Sequence, residues 1–301
     1  MTDRAAAYGR LSANARGALW MLASALAFTL MTTLIKYLGA EYSPALQTFY
    51  RQLAGLLALT PIIARDPARA FAAKRHGLLL FRAAAGTIGM ILAFYAYQQL
   101  PLAEANALSF TRSLWLVPLA VLVLREQVGP WRVGATLVGF AGAVIMLRPT
   151  GDLPALPALA ALASALLFAM TVTGMKALTR DHSITTLIVW SAVLGLAFST
   201  PLALIEWRWP TPFDLLLLAA MGVLGLANQA LYIKAMSLGE ATAMAPIEYT
   251  RLAIALVVGF VLFHEIPDSW AMAGALVVIA AALFITLREA RMKQPPAISP
   301  E

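Results

Sequence analysis

LPLAEANALSFTRSLWLVPLAVLVLREQVGPWRVGATLVGFAGAVIML, residues 100–147, and LGEATAMAPIEYTRLAIALVVGFVLFHEIPDSWAMAGALVVIAAALFI, residues 238–285, are two versions of one pattern. In each stretch a Glu closes one apolar run, and Gly or Ala residues follow along the next. The matching positions are Leu102, Glu104 and Ala105 with Leu238, Glu240 and Ala241 at a shift of 136, and Arg112, Glu126 and Trp131 with Arg251, Glu265 and Trp270 at a shift of 139. Matches in the same order at a nearly constant shift indicate an internal repeat.

The repeat continues toward the N-terminus of each half. At a shift of 140 the matching positions are Ser24, Ala25, Leu26, Phe28, Lys36, Thr60 and Pro61 with Ser164, Ala165, Leu166, Phe168, Lys176, Thr200 and Pro201. The two halves of the chain are therefore interpreted as two copies of one structural unit.

Composition predicts that the chain lies in a membrane. Hydrophobic residues make up 61% of its 301 residues, charged residues make up 12%, and the mean hydropathy is +0.78. Soluble domains are about half apolar and about one-quarter charged. Because about 20 helical residues cross the hydrocarbon core of a bilayer, the chain has room for about ten spans with short loops and no soluble domain.

Apolar runs between charged residues, Pro and Gly predict an all-α integral membrane protein with ten transmembrane helices. The predicted spans are 18–38, 45–64, 78–99, 103–124, 131–147, 155–176, 184–204, 214–235, 241–263 and 268–288. They form a first five-helix repeat at 17–148 and a second at 153–288, between tails at 1–16 and 289–301. Because each half has an odd number of spans, the second half enters the membrane from the opposite side, and the repeat is inverted.

The distribution of basic residues predicts that both termini and both tails are cytoplasmic. With ten spans, sixteen of the 22 Lys and Arg residues, including Arg82, fall on the side of the termini. Only Lys36, Arg148 and Arg208 fall on the other side. Loops rich in Lys and Arg tend to stay in the cytoplasm. We also expect the first span to be retained, because it is longer than the apolar region of a signal peptide.

Several classes of site are not expected. The chain has no Cys, and its three His residues lie far apart near span ends, so we expect no metal site and no thiol chemistry. It has no G-x-x-x-x-G-K-[ST] motif, and we expect no cofactor. The net charge of +7 is explained by cytoplasmic loops, and we expect no nucleic-acid partner.

On the paired stretches quoted above, the chain resembles EamA-type proteins of the drug/metabolite transporter superfamily, and the likeness covers nearly the whole chain. The resemblance implies a ten-span bundle of two five-helix repeats in the bacterial inner membrane. It also implies export of metabolites, with aromatic or other hydrophobic amino acids as the best-known cargo of the branch that looks most similar. Related branches carry other solutes, so a nucleotide-derived, cofactor or drug-like solute is the alternative.

Arg112 and Arg251 are the leading candidates for substrate contacts. Each lies roughly 14 to 15 Å along its span, near the midplane, where an ionised group normally faces a partner or a water-filled cavity. A guanidinium binds a substrate carboxylate through two parallel hydrogen bonds. For Arg251, a permanent ion pair with Glu248, three residues earlier on the same helix face, is an equal alternative.

The other candidates are polar or aromatic residues of the predicted spans. Arg51 has Ser191 as its counterpart in the repeat, so it either marks a site or extends to the membrane surface. Polar side chains can line a pathway or only bond across helices, and aromatic side chains can stack on a substrate or only pack. These polar and aromatic candidates are Tyr95, Gln99, Trp115, Asn228, Gln229, Tyr232, Glu248 and Tyr249.

Two further features are expected to be mainly structural. Glu126 and Glu265 each close a span at its C-terminal end, where the helix dipole disfavours a negative charge. Each is therefore expected to have a basic or hydrogen-bonding partner, as a structural tie or as a latch of a gate. The Gly and Ala residues of the fifth and tenth spans allow close helix packing, inside the bundle or in a homodimer.

The leading functional hypothesis is a secondary transporter, not an enzyme, that exports an amino acid or a similar zwitterion by alternating access. An intramembrane enzyme is disfavoured because Ser109 and Ser113 have no accompanying His within the spans. A scaffold would gain little by burying midplane arginines. The expected partners are a small-molecule substrate and the lipid bilayer, and the protein is expected to be a monomer or a homodimer.

Overall fold

The computed structural model describes residues 12–122, 129–147, 155–178, 182–239 and 241–292, and all regular secondary structure in these ranges is helical. The helices are α1 (Ala13–Leu38), α2 (Pro44–Arg65), α3 (Pro67–Ala70), α4 (His76–Gln99), α5 (Leu102–Ser109), α6 (Thr111–Leu122), α7 (Pro130–Leu147), α8 (Ala155–Leu178), α9 (Ile184–Ile205), α10 (Pro212–Leu238), α11 (Ala241–Glu248), α12 (Thr250–Phe263) and α13 (Ser269–Met292). The predicted all-α class fits these ranges.

Eight helical segments of the described residues are long and apolar enough to cross a membrane. They are Ala13–Leu38, His76–Gln99, Leu102–Leu122, Ala155–Gly174, Thr185–Ile205, Pro212–Leu238, Pro246–Phe263 and Ser269–Arg288. The second and fifth predicted spans correspond to α2 and to the shorter α7, which are not among these eight. The count of ten spans therefore stays a prediction.

The second helix of each half starts in the same way. Ser43 caps α2 by accepting a hydrogen bond from the Leu46 N–H at 3.3 Å, and Ser183 caps α9 by accepting one from the Thr186 N–H at 3.1 Å. A serine side chain at this position satisfies one of the amide donors that a helix leaves free at its N-terminus. The two serines are 140 residues apart, which is the shift found in the sequence repeat.

The most extensive helix packing joins the two halves of the chain. α1 packs on α10, α4 on α8, α2 on α9, and α7 on α13. In the last pair Gly142 faces Gly274, where a Cβ at Gly142 would lie 3.0 Å from the Gly274 carbonyl oxygen. Small residues allow such a close approach of helix backbones. These glycines are therefore used for packing inside one chain.

The fourth and ninth predicted spans are each divided into two short helices. The chain tightens at Phe110, between α5 and α6, and at Tyr249, between α11 and α12. The Ser113 N–H donates to the Phe110 carbonyl at 3.1 Å, and the Leu252 N–H donates to the Tyr249 carbonyl at 3.0 Å. These bonds span three residues instead of four, so the turn is tighter than in an α-helix. The two interruptions touch, because the Phe110 and Tyr249 ring centroids are 4.3 Å apart.

One end of the bundle, here called the far end, comprises the turns 39–43, 100–101, 206–211 and 264–268. Lys36 Nζ lies 2.5 Å from Glu265 Oε1 and donates to the Leu100 carbonyl at 2.6 Å. The Leu102 N–H donates to Glu265 Oε2 at 2.8 Å. The partner expected for Glu265 is therefore confirmed, whereas Glu126 lies outside the described residues. The far end is also the site of dense packing by fully buried leucines, namely Leu38, Leu46, Leu100 and Leu102.

The opposite end, here called the near end, contains the start of α1 and the turn 71–75 between α3 and α4. The Lys74 N–H donates to His182 Nε2 at 2.8 Å, and Thr186 Oγ1 donates to the Arg69 carbonyl at 2.8 Å. These bonds fix α3 and the turn that follows it to the start of α9. His182 thus has a structural role, and the described residues contain no cluster of three potential metal ligands.

Candidate functional site

A cavity of about 370 Å³, here called the central chamber, lies on the near-end side of the far-end core. Seven of the eleven candidate residues line it: Arg51, Arg112, Asn228, Gln229, Tyr232, Glu248 and Arg251. The other lining residues are Met21, Ser24, Ala25, Phe28, Phe168 and Gly225. The wall of the chamber is therefore formed by α1, α2, α6, α8, α10, α11 and α12.

Arg251 is held in place by three neighbours. Its Nη2 donates to Ser109 Oγ at 2.8 Å, and its guanidinium carbon lies 4.0 Å from the Phe110 ring centroid and 4.7 Å from that of Phe28. A guanidinium over an aromatic face is attracted by the ring quadrupole. Among the described residues, Glu248 and Arg251 form no ion pair, so the pairing that was the alternative to a substrate contact is not present in this conformation.

Arg112, the counterpart of Arg251 in the repeat, is not held in this way. It lies in the first turn of α6, its side chain is exposed, and it lines the central chamber. No hydrogen bond or ion pair joins it to another described residue. Its guanidinium has five N–H donors, and these are available to a molecule in the chamber.

Arg51 lies on α2 between the central chamber and a second cavity. Its Nη1 lies 3.3 Å from Met90 Sδ, which is a weak acceptor. A Cβ at position 225 would lie 3.0 Å from Arg51 Nε and 3.1 Å from Nη2, so Gly225 of α10 leaves the space that this guanidinium occupies. The Nε atom of Arg51 is buried inside the bundle, which favours the interpretation of Arg51 as a site residue over an arginine that extends to the membrane surface.

The second cavity, here called the side chamber, has a volume of about 270 Å³. Arg51, Phe168 and Gln229 line both chambers. The other polar lining residues of the side chamber are Gln52, Arg82, Thr87, Thr171 and Ser191. Arg82 Nη1 donates to Ser191 Oγ, which also donates to the Leu187 carbonyl. Sequence reasoning placed Arg82 with the cytoplasmic segments, whereas the structure places it in the second turn of α4, facing this chamber.

Three polar or aromatic lining residues of the central chamber were missed although the repeat pointed to them. Phe28 and Phe168 are counterparts at a shift of 140, and both line the chamber. Ser24 lies one turn before Phe28, and its Oγ donates to Asn228 Oδ1 at 2.8 Å. Identical residues at paired positions were the available signal, and for Phe28 and Phe168 both members of the pair line the chamber.

Four candidates lie outside both chambers. Trp115 packs on Phe140, with ring centroids 4.6 Å apart, and Tyr249 stacks on Phe110. On α4, the residues that line the side chamber lie between Arg82 and Met90. Tyr95 lies five residues later, which turns it about 140° away from that face. Gln99 ends α4 at the far end, beyond the chamber.

Comparison with known proteins gives the chain a family and a fold. The family model of the EamA-like transporter family matches residues 15–148 and 155–287. An S-adenosylmethionine uptake transporter of Rickettsia prowazekii is 32% identical over 91% of this chain and 93% of its own length. A riboflavin transporter of Vibrio cholerae is 29% identical over 92% of this chain and 94% of its own length. These names differ from the amino acid cargo that the resemblance implied.

A solved structure shows the same fold. A crystal structure superposes with a TM-score of 0.61 over 93% of this chain and 99% of that chain, at 17% sequence identity. The family model covers both halves of the sequence, the relatives align along nearly the whole length, and the helices enclose a polar cavity at the interruptions of two spans. This chain belongs to the EamA-like transporter family.

Proposed function

We propose that the protein is a secondary transporter that carries a cofactor-like or nucleotide-derived metabolite across the bacterial inner membrane. The observation that carries this proposal is the central chamber, which has three arginines and one glutamate in its wall next to the interruptions at Phe110 and Tyr249. Ionisable residues inside membrane helices normally serve a substrate or ion pathway. The named substrates of the relatives, S-adenosylmethionine and riboflavin, support a cofactor-like solute and do not support the amino acid cargo expected from sequence.

The size of the cavity supports the same class of solute. The central chamber of about 370 Å³ and the side chamber of about 270 Å³ share Arg51, Phe168 and Gln229 in their walls. Small-molecule sites in proteins have volumes of about 300–1,000 Å³. Two adjoining chambers of this size suit a solute with a planar ring system and a polar extension better than a free amino acid.

In this proposal the protein works by alternating access. Ten spans in two inverted repeats, with both termini in the cytoplasm, would place the near end at the cytoplasm and the far end outside. The far end is tied by Lys36 and Glu265, and the chambers lie on the near-end side of that tie. The structure then corresponds to a conformation closed to the outside. The close packing of α7 and α13 within one chain supports a monomer.

The test is uptake of radiolabelled solutes into proteoliposomes. The panel contains S-adenosylmethionine, riboflavin, phenylalanine and tryptophan, each assayed with the unmodified protein, Arg112→Ala and Arg65→Ala. Arg65 ends α2 with an exposed side chain outside both chambers and is the matched control. A hydrogen bond to a charged group contributes about 1.5–3 kcal/mol, so Arg112→Ala should weaken transport of the true substrate roughly 10- to 150-fold.

Three results would separate the alternatives. Saturable uptake of a cofactor that Arg112→Ala weakens and Arg65→Ala does not would support the proposal. Uptake of the amino acids alone would restore the amino acid transporter. Uptake that Arg112→Ala leaves unchanged would keep transport but remove the role given to this arginine.

A further inference from the structure

The walls of the two chambers carry a strong excess of positive charge. Four arginines, Arg51, Arg82, Arg112 and Arg251, line them together with one acidic residue, Glu248. In the part of the chain that the structure describes, none of these arginines forms an ion pair. The walls therefore hold three more formal positive charges than negative ones. A cleft lined by one sign of charge concentrates solutes of the opposite sign.

The hydrogen-bond donors of the side chamber are also largely unused. Arg51 contacts only the weak acceptor Met90 Sδ, and Arg82 donates to Ser191 Oγ. The Nε atoms of both arginines are buried, and no described side chain or backbone group accepts from them. Leaving buried donors of a charged group without acceptors costs free energy. An oxyanion in the side chamber would satisfy them.

The side chamber is not a consequence of the repeat. The counterpart of Arg51 at the shift of 140 is Ser191. α4 and α10 start 136 residues apart, and at that shift the counterpart of Arg82 is Leu218. Ser191 lines the side chamber, whereas Leu218 is fully buried and does not line it. Both arginines thus come from the first half of the chain, and neither has a basic counterpart in the second half. The two cations of the side chamber are therefore not required by the symmetry of the fold.

We propose that the transported solute is an organic anion with two polar ends, and that Arg51 and Arg82 bind its second anionic group in the side chamber. Arg112 holds the first end in the central chamber, and Phe168, which lines both chambers, packs against the ring system between the two ends. A phosphate or carboxylate accepts paired hydrogen bonds from guanidinium groups. This inference rests on the proposed transport function and names the substrate class of the same site.

The proposed preference for anions predicts a substrate different from those named for the relatives of this chain. S-Adenosylmethionine carries a sulfonium, an ammonium and a carboxylate group, so its net charge is positive. Riboflavin carries no ionised group at neutral pH. The chamber walls of this chain should disfavour the first compound and should leave the side chamber unfilled with the second.

The experiment compares pairs of solutes that share one scaffold and differ in net charge through a phosphate group or a sulfonium methyl group. Riboflavin is compared with riboflavin 5′-phosphate, adenosine with its 5′-monophosphate, and S-adenosylmethionine with S-adenosylhomocysteine, which lacks the sulfonium charge. Binding to the purified full-length protein is measured by titration, and uptake is measured in proteoliposomes. The more negative member of each pair should bind at least tenfold more tightly, and raising the salt concentration should reduce this preference.

Two variants of Arg82 and one control variant test whether the side chamber causes the preference for the more negative solute. Arg82→Gln should narrow the affinity ratio between riboflavin 5′-phosphate and riboflavin toward one, and Arg82→Lys should retain part of it because the charge remains. Arg65→Gln should leave the ratio unchanged. The comparison of solutes on the unmodified protein tests the charge preference even where a variant does not fold.

The outcomes distinguish this inference from the proposed function. Equal binding within each pair, or tighter binding of S-adenosylmethionine than of S-adenosylhomocysteine, would overturn the anion site while leaving a transporter. An unchanged ratio in Arg82→Gln would remove the side chamber as the phosphate site. Absence of uptake for all six solutes would count against both the inference and the proposed function.

Discussion

The far end and the chambers use their charged side chains in opposite ways. At the far end, Lys36 contacts Glu265 and the Leu100 carbonyl, and Glu265 also accepts from the Leu102 N–H. Both charged side chains of this tie therefore have partners within the protein. In the chambers, Arg51 and Arg112 form no ion pair with any described residue.

The difference indicates which charges belong to the fold and which belong to the solute. A charge inside a membrane protein is stabilised by a partner or by water in a cavity. The far-end tie supplies its own partner, so its removal should change stability. The chamber arginines depend on what enters, so their removal should change binding. Three predictions test this division, from the largest expected effect to the smallest.

Lys36→Met should give the largest effect on stability. The side chains of Lys36 and Glu265 are only 14% and 12% exposed, and removing one partner of a buried ion pair destabilises a protein by about 3–5 kcal/mol. The double variant Lys36→Met with Glu265→Gln should be less destabilised than the single variant, because no unpaired charge remains. The free energy of unfolding in detergent, measured by titration with a denaturing detergent, checks both values.

An exposed ion pair provides the matched control for this experiment. Arg208 and Glu41 also pair at the far end, but their side chains are 61% and 55% exposed. Exposed pairs contribute about 0–1 kcal/mol, so Arg208→Met should change stability little. Equal effects of Lys36→Met and Arg208→Met would show that burial does not distinguish the two pairs.

Gly225→Ala tests the other side of the comparison, because it disturbs a chamber arginine without removing a charge. The added Cβ would lie 3.0 Å from Arg51 Nε, which forces the guanidinium to shift by a few tenths of an ångström. A loss of about 1 kcal/mol in substrate binding corresponds to roughly fivefold weaker affinity. Titration of the substrate identified in the uptake assay measures this change.

Gly174→Ala is the control, because a Cβ at Gly174 of α8 would have no neighbour within 4 Å. It should leave affinity unchanged and stabilise the helix by up to about 1 kcal/mol, since alanine is the better helix former. A similar loss of affinity in both variants would mean that a methyl group added to either helix weakens binding. The loss in Gly225→Ala would then not be caused by displacement of Arg51.

The sequence was sufficient to locate helices and the charged residues that lie within them. Long apolar runs correspond to spans because bilayer thickness fixes their length, and α4, at His76–Gln99, closely follows the predicted span 78–99. Arg112 and Arg251 could be selected because a charge near the midplane is costly. Both positions line the central chamber.

The sequence was not sufficient to determine which face of a helix lines a cavity. Tyr95 and Gln99 are polar and lie in the correct span, yet the rotation of α4 and its depth place them elsewhere. Arg82 was missed because an arginine near a span end satisfies the charge rule for loops whether or not it faces a cavity. Rotation is set by packing on partner helices, and a single sequence carries little information on it.

Ser24→Ala should have the smallest effect of the three. Ser24 Oγ lies 2.8 Å from Asn228 Oδ1 and 3.1 Å from the Asn228 carbonyl oxygen, so the hydroxyl orients a chamber amide without being an ionised group. A neutral hydrogen bond contributes about 0.5–1.5 kcal/mol, and only part of this should reach the solute through Asn228. We expect roughly threefold weaker affinity with little change in stability.

Ser164, the counterpart of Ser24 in the second half, does not line either chamber, so Ser164→Ala should leave affinity unchanged. A difference between these two counterparts would show that binding uses the repeat asymmetrically, whereas equal losses would indicate that both serines act through helix packing and that the chamber amide is not under the control of Ser24.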